Sequence, residues 1–146
     1  SSAASDVYKR QHLQISQHAR VLTGGSTLIV AAQANPEKEK PLRDLGHEVI
    51  VLPNASGKVD LAALMQELGR RQINELHVEA GFKLNGSLIR EGCVDELLVY
   101  LAPTLLGDAQ RMFNLPPLES LEHKKNLTFH EVKQIGADLR ILARFI

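Results

Sequence analysis

The chain lacks most of what would announce a chemistry at once. It has one cysteine, Cys93, in 146 residues. That excludes a disulfide framework and any zinc site built from several cysteines. Tryptophan is absent, and aromatic residues make up only 4%. An excess of one charge is missing too: 17 Lys+Arg meet 17 Asp+Glu, for a net charge of +0. Non-specific nucleic-acid binding needs a basic face to replace counterions, so no nucleic-acid partner is expected. No apolar run approaches the roughly 18 residues of a membrane span, and no signal-peptide pattern opens the chain. No membrane partner is expected, and the expected location is cytoplasmic. What is present is a hydrophobic content of 44%, enough for a core. The length suits one domain, since domains commonly run roughly 100–200 residues.

Residues 1–11 are small and polar with no apolar period, and are expected to be a disordered or extraneous tail before a domain over 12–146. The short apolar run Thr27–Ala32 predicts a buried strand. Asn35-Pro36 reads as an N-cap followed by Pro at the first helical position. Pro41 is expected to interrupt the charged helix that follows, and Gly46 to close it. Glu48–Leu52 predicts a second strand, stopped by Pro53. Asp60 caps a helix whose Leu61, Leu64, Met65 and Leu68 share one apolar face, with Val59 and Leu64 as a hydrophobic staple. Glu75–Glu79 is expected as a third strand, followed by a helix from about Lys83 to Arg90 that stops at Gly92. Leu97–Ala102 predicts a fourth strand. A fifth opens at Leu127, and after a turn at Ile135–Asp138 a last strand alternates Leu139, Ile141, Ala143 and Phe145 against Arg140, Leu142 and Arg144. Strands alternating with helices, then an antiparallel pair, predict an α/β domain with a mixed sheet.

The segment best placed for chemistry is Val78 to Ser87. A strand ends in Gly81 and a helix begins at once. Ligands of open α/β sheets bind at the carboxyl ends of strands. The first helical turn offers unpaired N–H groups and a positive dipole end to a phosphate, and Gly81 lets the backbone come close. Two readings stand: a phosphate seat, or an ordinary turn in which glycine serves packing and Lys83 is solvated. Glu79 could accept hydrogen bonds from sugar hydroxyls; a plain strand-end residue is the favoured reading of that position alone. Thr23–Ser26 is also glycine-rich, but it precedes a strand and reads as a turn. His77-Val78-Glu79 spells part of a zinc deaminase signature, which fails for want of its cysteines. No metal ligand set is expected. Cys93 reads as a buried, inert thiol. Asp95-Glu96 read as a solvated strand start, because adjacent strand residues face opposite ways.

Three runs together carry a resemblance: Val78-Glu79-Ala80-Gly81 with Leu84 and Gly86, then Gly92 to Leu97, then Leu101-Ala102-Pro103 with Leu105-Leu106-Gly107. They resemble the reductase domain of the bacterial bifunctional riboflavin biosynthesis protein, in which a pyrimidine deaminase precedes a dihydrofolate-reductase-like reductase. The resemblance runs from about Gln11 to Phe145. It implies a three-layer α/β fold with a mixed, mostly parallel sheet whose N-terminal part is missing here. It implies NADPH-dependent reduction of the ribosyl group of 5-amino-6-(5-phosphoribosylamino)uracil to a ribitylamino product, with zinc confined to the absent deaminase. It implies substrate contact by Glu79, and cofactor contact by Gly81, Phe82, Lys83, Leu84, Asn85, Gly86 and Ser87. No catalytic residue is assigned, and a homodimer is implied. Phe82, Lys83 and Asn85 stand where the family often has Pro, Thr and Ala; backbone contacts survive such changes and side-chain hydroxyl contacts do not. The alternative is a non-catalytic nucleotide-binding or assembly module of the same fold.

Overall fold

The computed structural model describes residues 13, 15–109 and 111–146. The expected tail over 1–11 lies outside them. The chain divides into two compact units, Ser1–Glu79 and Ala80–Ile146.

In the first unit, β1 (Leu28–Ala31) pairs in parallel with β2 (Glu48–Val51), Leu28 opposite Glu48 and Ala31 opposite Val51. All four residues of β1 are buried, as a continuous apolar run requires of a doubly covered strand. The crossover is α1 (Pro36–Asp44), where the Asn35 side chain accepts the Lys38 N–H at 3.1 Å. Pro41 does not interrupt this helix. It removes the hydrogen bond to the carbonyl of Glu37, an exposed residue that water can serve. Buried Leu42 and the ion pairs Glu39–Arg43 and Lys40–Asp44 hold the helix through it. Gly46, at φ +88, then closes α1, with the His47 N–H donating back to the Leu42 carbonyl at 3.1 Å. Leu13, Leu22, Ile29, Ala31, Leu42 and Val49 form one buried cluster.

Helix α2 (Leu61–Arg70) starts at Asp60, whose carboxylate accepts the Ala63 N–H at 2.9 Å. Leu61, Leu64, Leu68 and the staple residue Val59 are all buried. Its C-terminus has the same closing geometry as α1, but Gln72 occupies the left-handed position at φ 61. The Gln72 and Ile73 N–H groups donate to the Gly69 and Leu68 carbonyls at 2.9 and 3.0 Å. A Cβ is unfavourable in this conformation. Gln72→Gly is expected to stabilise the protein by about 0.5–1 kcal/mol after the entropy of the unfolded chain is counted, raising Tm by about 2–4 °C. An unchanged or lower Tm in a thermal melt would contradict this. Beside it, Arg71 ties α2 to β2, bonding Glu48 at 2.5 and 2.7 Å and Glu67 at 2.8 Å. Hydrogen bonding from Arg71 holds the Glu48 carboxyl below its ordinary range. Arg70 and then Arg71 do the same for Glu67.

The expected strand Glu75–Glu79 is a correction. Among the described residues it forms no ladder, and Val78 is 41% exposed. A strand exists only through its partners, and Leu76 and Val78 alone offer little apolar surface to bury. Among the described residues there are two sheets, a parallel pair in the first unit and an antiparallel sheet in the second, where one mixed sheet was expected. The α/β class holds, but among the described residues the parallel part is the single β1–β2 pair, smaller than the mostly parallel sheet expected.

The second unit begins with α3 (Phe82–Arg90), closed by Gly92 at φ +70. It continues through β3 (Glu96–Leu101), β4 (Leu127–Ile135) and β5 (Asp138–Phe145). The sheet order is β3-β5-β4, antiparallel throughout. Gly136-Ala137 is the two-residue hairpin turn, with Gly136 at φ +63. A register shift between Phe129 and Glu131 keeps both sides of it in phase. One face carries Leu97, Val99, Leu101, Phe129, Val132 and the β5 residues Leu139, Ile141, Ala143 and Phe145. The other carries ion pairs between Glu131 and Arg140 and, at 2.6 Å, between Glu96 and Arg144. Hydrogen bonding from Arg140 lowers the Glu131 carboxyl pKa. Glu96 is exposed at the start of β3, as a solvated strand start should be, and has Arg144 as a cross-strand partner besides.

Candidate functional site

Gly81 is the N-cap of α3 and supplies no side-chain cap. Its carbonyl accepts the N–H groups of Leu84 and Asn85, each at 3.1 Å. Among the described residues, no acceptor meets the N–H groups of Gly81, Phe82 or Lys83. These are the orphan donors of a helix start, aligned with the positive end of its dipole. Gly81 lies at φ −74 and ψ 165, ordinary extended backbone, so its glycine is not there for conformation. A Cβ added to it would meet nothing within 4 Å. What this turn offers an anion is backbone donors, with exposed Lys83 beside them.

The rest of the expected cofactor segment faces elsewhere. Leu84 is half-buried and its N–H is committed to Gly81. The Asn85 side-chain amide donates to the Ala80 carbonyl at 3.0 Å and the Met112 carbonyl at 3.5 Å. Gly86 is buried against Asn114: a Cβ there would fall onto the Asn114 backbone. Ser87 is buried, donates to the Lys83 carbonyl at 3.1 Å and accepts from Arg90 at 3.0 Å. The structure therefore brings Gly81, Phe82 and Lys83 together as open donors and turns Asn85, Gly86 and Ser87 inward. The Asn114 backbone, beside Gly86, could not be anticipated, because nothing in residues 103–120 marks a partner for a helix far back in the chain.

Glu79, the last residue of the first unit, has an 84% exposed side chain with Oε1 3.5 Å from His77 Nε2. His77 is exposed as well. Cys93 is half-buried rather than buried, with Sγ 3.6 Å from the Glu91 carbonyl. Among the described residues, no three His, Cys, Asp or Glu side chains gather to hold a metal. No helix among them is long and apolar enough to cross a membrane. A cavity of about 560 Å³ lies at the C-terminal end of α3, where Ile89 and Arg90 meet Leu97, Leu127 and Phe145; none of residues 79–87 lines it.

Comparison with known proteins identifies the family of the chain. Residues 9–141 match the model of the RibD C-terminal domain. The riboflavin biosynthesis protein RibD of Escherichia coli is 45% identical over 91 residues, covering 62% of this chain and 25% of that protein. The 5-amino-6-(5-phosphoribosylamino)uracil reductase of Buchnera aphidicola is 30% identical over 94 residues, covering 64% of this chain and 45% of that protein. The solved structure of Acinetobacter baumannii RibD superposes with a TM-score of 0.77 at 27% identity, over 91% of this chain and 35% of that one. This chain thus spans less than half the length of each of these relatives. With a family model matched along nearly all of its length, the chain belongs to the RibD C-terminal domain family.

Proposed function

We propose that this chain is part of an NADPH-dependent reductase of riboflavin biosynthesis, acting on the ribosyl group of 5-amino-6-(5-phosphoribosylamino)uracil. The observation that carries the reading is the open donor set at Gly81, Phe82 and Lys83, in a chain of this family. These residues fit a pyrophosphate: their backbone N–H groups meet no acceptor among the described residues, and nothing lies within 4 Å of where a Cβ of Gly81 would be. Leu84, Asn85, Gly86 and Ser87 complete the helix that presents them. The chemistry such a cofactor supplies is hydride transfer to C1 of the opened ribose, giving the ribitylamino product. The chain's own task at this turn is to bind and orient the dinucleotide phosphates, which turns a bimolecular encounter into a positioned one. Glu79 is proposed to accept hydrogen bonds from the ribosyl hydroxyls of the substrate; its carboxylate is 84% exposed, with Oε1 beside His77. The protein is proposed to act in the cytoplasm as a homodimer, a state supported by the uncovered apolar residues of the β3-β5-β4 sheet.

Glu79→Gln separates the two ligands. It keeps the shape and one acceptor but removes the charge. Measured by equilibrium titration, affinity for 5-amino-6-(5-phosphoribosylamino)uracil is expected to fall at least tenfold, on the order of a lost charge-assisted hydrogen bond, while NADPH affinity stays within about twofold. Unchanged substrate affinity, or equal loss of both ligands, would contradict the role given to Glu79.

A further inference from the structure

We propose that Gly86 and Arg90 are positioning residues that act through the backbone of Asn114, latching down the first turn of α3 and so fixing the N–H groups of Gly81, Phe82 and Lys83. This rests on the nucleotide-binding reading above and names the residues that hold its site in shape.

Helix α3 has nine residues, too few to be stable by itself. Its C-terminal end is closed by the Gly92 turn, where the Cys93 N–H donates to the Leu88 carbonyl at 2.9 Å. Its N-terminal end has no side-chain cap. What holds that end is the segment 112–114. The Asn114 N–H donates to the Phe82 carbonyl at 2.9 Å, and Asn85 bridges the Ala80 and Met112 carbonyls. The Asn114 carbonyl is held in turn by Arg90 Nη1, whose Nη2 bonds the Ser87 hydroxyl at 3.0 Å. Both of these partners are neutral, and among the described residues Arg90 forms no ion pair with a carboxylate. Its donors are used to fix a carbonyl.

The approach is possible only because residue 86 has no Cβ. One built there would lie 2.7 Å from both the Asn114 carbonyl carbon and its nitrogen, closer than real Cβ atoms come. A glycine inside a helix is destabilising relative to alanine, and here that cost admits the backbone of another segment. Donors held in place before the ligand arrives lose less freedom on binding. Without the latch, an uncapped nine-residue helix frays from its first turn, and the three donors lose their common direction.

The test uses the full chain with Gly86→Ala, Arg90→Ala and Arg90→Lys. NADPH affinity is read by fluorescence titration, and amide exchange of Leu84 and Asn85, which close the first turn, by hydrogen–deuterium exchange. Gly86→Ala and Arg90→Ala are expected to weaken NADPH about tenfold and to speed exchange at Leu84 and Asn85 by a similar factor. Exchange in α2 should be unchanged. Arg90→Lys, which keeps one donor for the Asn114 carbonyl, should recover most of both losses; a purely structural loss of packing would not be rescued in this way. If Gly86→Ala unfolds by circular dichroism, the two Arg90 variants decide. Folded variants with unaltered affinity and exchange overturn the latch while leaving the nucleotide reading intact. Failure of the unaltered chain to bind NADPH overturns that reading, and the latch with it.

Discussion

Replacing Gly81 with valine is expected to abolish nucleotide binding, with an affinity loss of at least about 100-fold, while leaving the chain folded. Both halves of this expectation come from the same position. At φ −74 and ψ 165 a β-branched residue is at ease, and its Cβ would touch nothing within 4 Å. The protein should therefore accept the side chain at the cost only of a poorer helix N-cap, about 0.5–1 kcal/mol, and a Tm lowered by less than about 4 °C. The ligand would not accept it. An anion bound by the Gly81, Phe82 and Lys83 N–H groups must come within about 3 Å of the backbone, and two methyl groups at the cap would hold it off. Calorimetric titration with NADPH and a thermal melt give the two readings. Full affinity in Gly81→Val would mean that the turn is only a fold element, as the assembly-module reading holds.

The second large effect concerns the sheet of the second unit. On one face of β3-β5-β4, Val132 pairs with Ile141, which pairs with Val99, and Phe129 pairs with Ala143, which pairs with Leu97. Among these, Phe129 is 71% and Val132 55% exposed, and Leu101 on the same face is 55% exposed. Scattered apolar residues on a surface need no explanation, but neighbouring ones in register across three strands do. If that face is covered by a second copy, Val132→Lys places a charge where it must be desolvated on association, at a cost of several kcal/mol per dimer. By sedimentation velocity at micromolar concentration, the unaltered chain is expected to run as a dimer and Val132→Lys as a monomer. A monomeric unaltered chain, or a variant with unchanged association, would contradict the homodimer.

Much of this was legible in the sequence wherever the signal is local. Asn35 and Asp60 do cap their helices, Gly46 and Gly92 do close theirs, and the apolar run from Leu28 is a buried strand. Each needs only neighbours within a turn of the chain. Pro41 misled because its cost falls on an exposed carbonyl in the first half of a helix held by Leu42 and two ion pairs. The strand expected at Glu75–Glu79 misled because alternation states a preference for a ladder without supplying the partner. At the candidate site the glycine that opens α3 and the helix start were legible, but the strand expected before them was not there, and nothing local sorts Gly81 to Ser87 into residues open to a ligand and residues that face Asn114. That distinction depends on a contact between residues 86 and 114, and glycine looks the same in sequence whether it admits a phosphate or a backbone.

The central claim is that α3 begins at a seat for the phosphates of a nicotinamide dinucleotide, and titration of the unaltered 146-residue chain with NADPH tests it most directly. The account predicts saturable one-to-one binding, displaced by inorganic pyrophosphate because the seat recognises phosphate oxygens through backbone N–H groups. No saturable binding up to about 1 mM NADPH, the upper end of ordinary enzyme affinities, or binding that pyrophosphate leaves untouched, would contradict it.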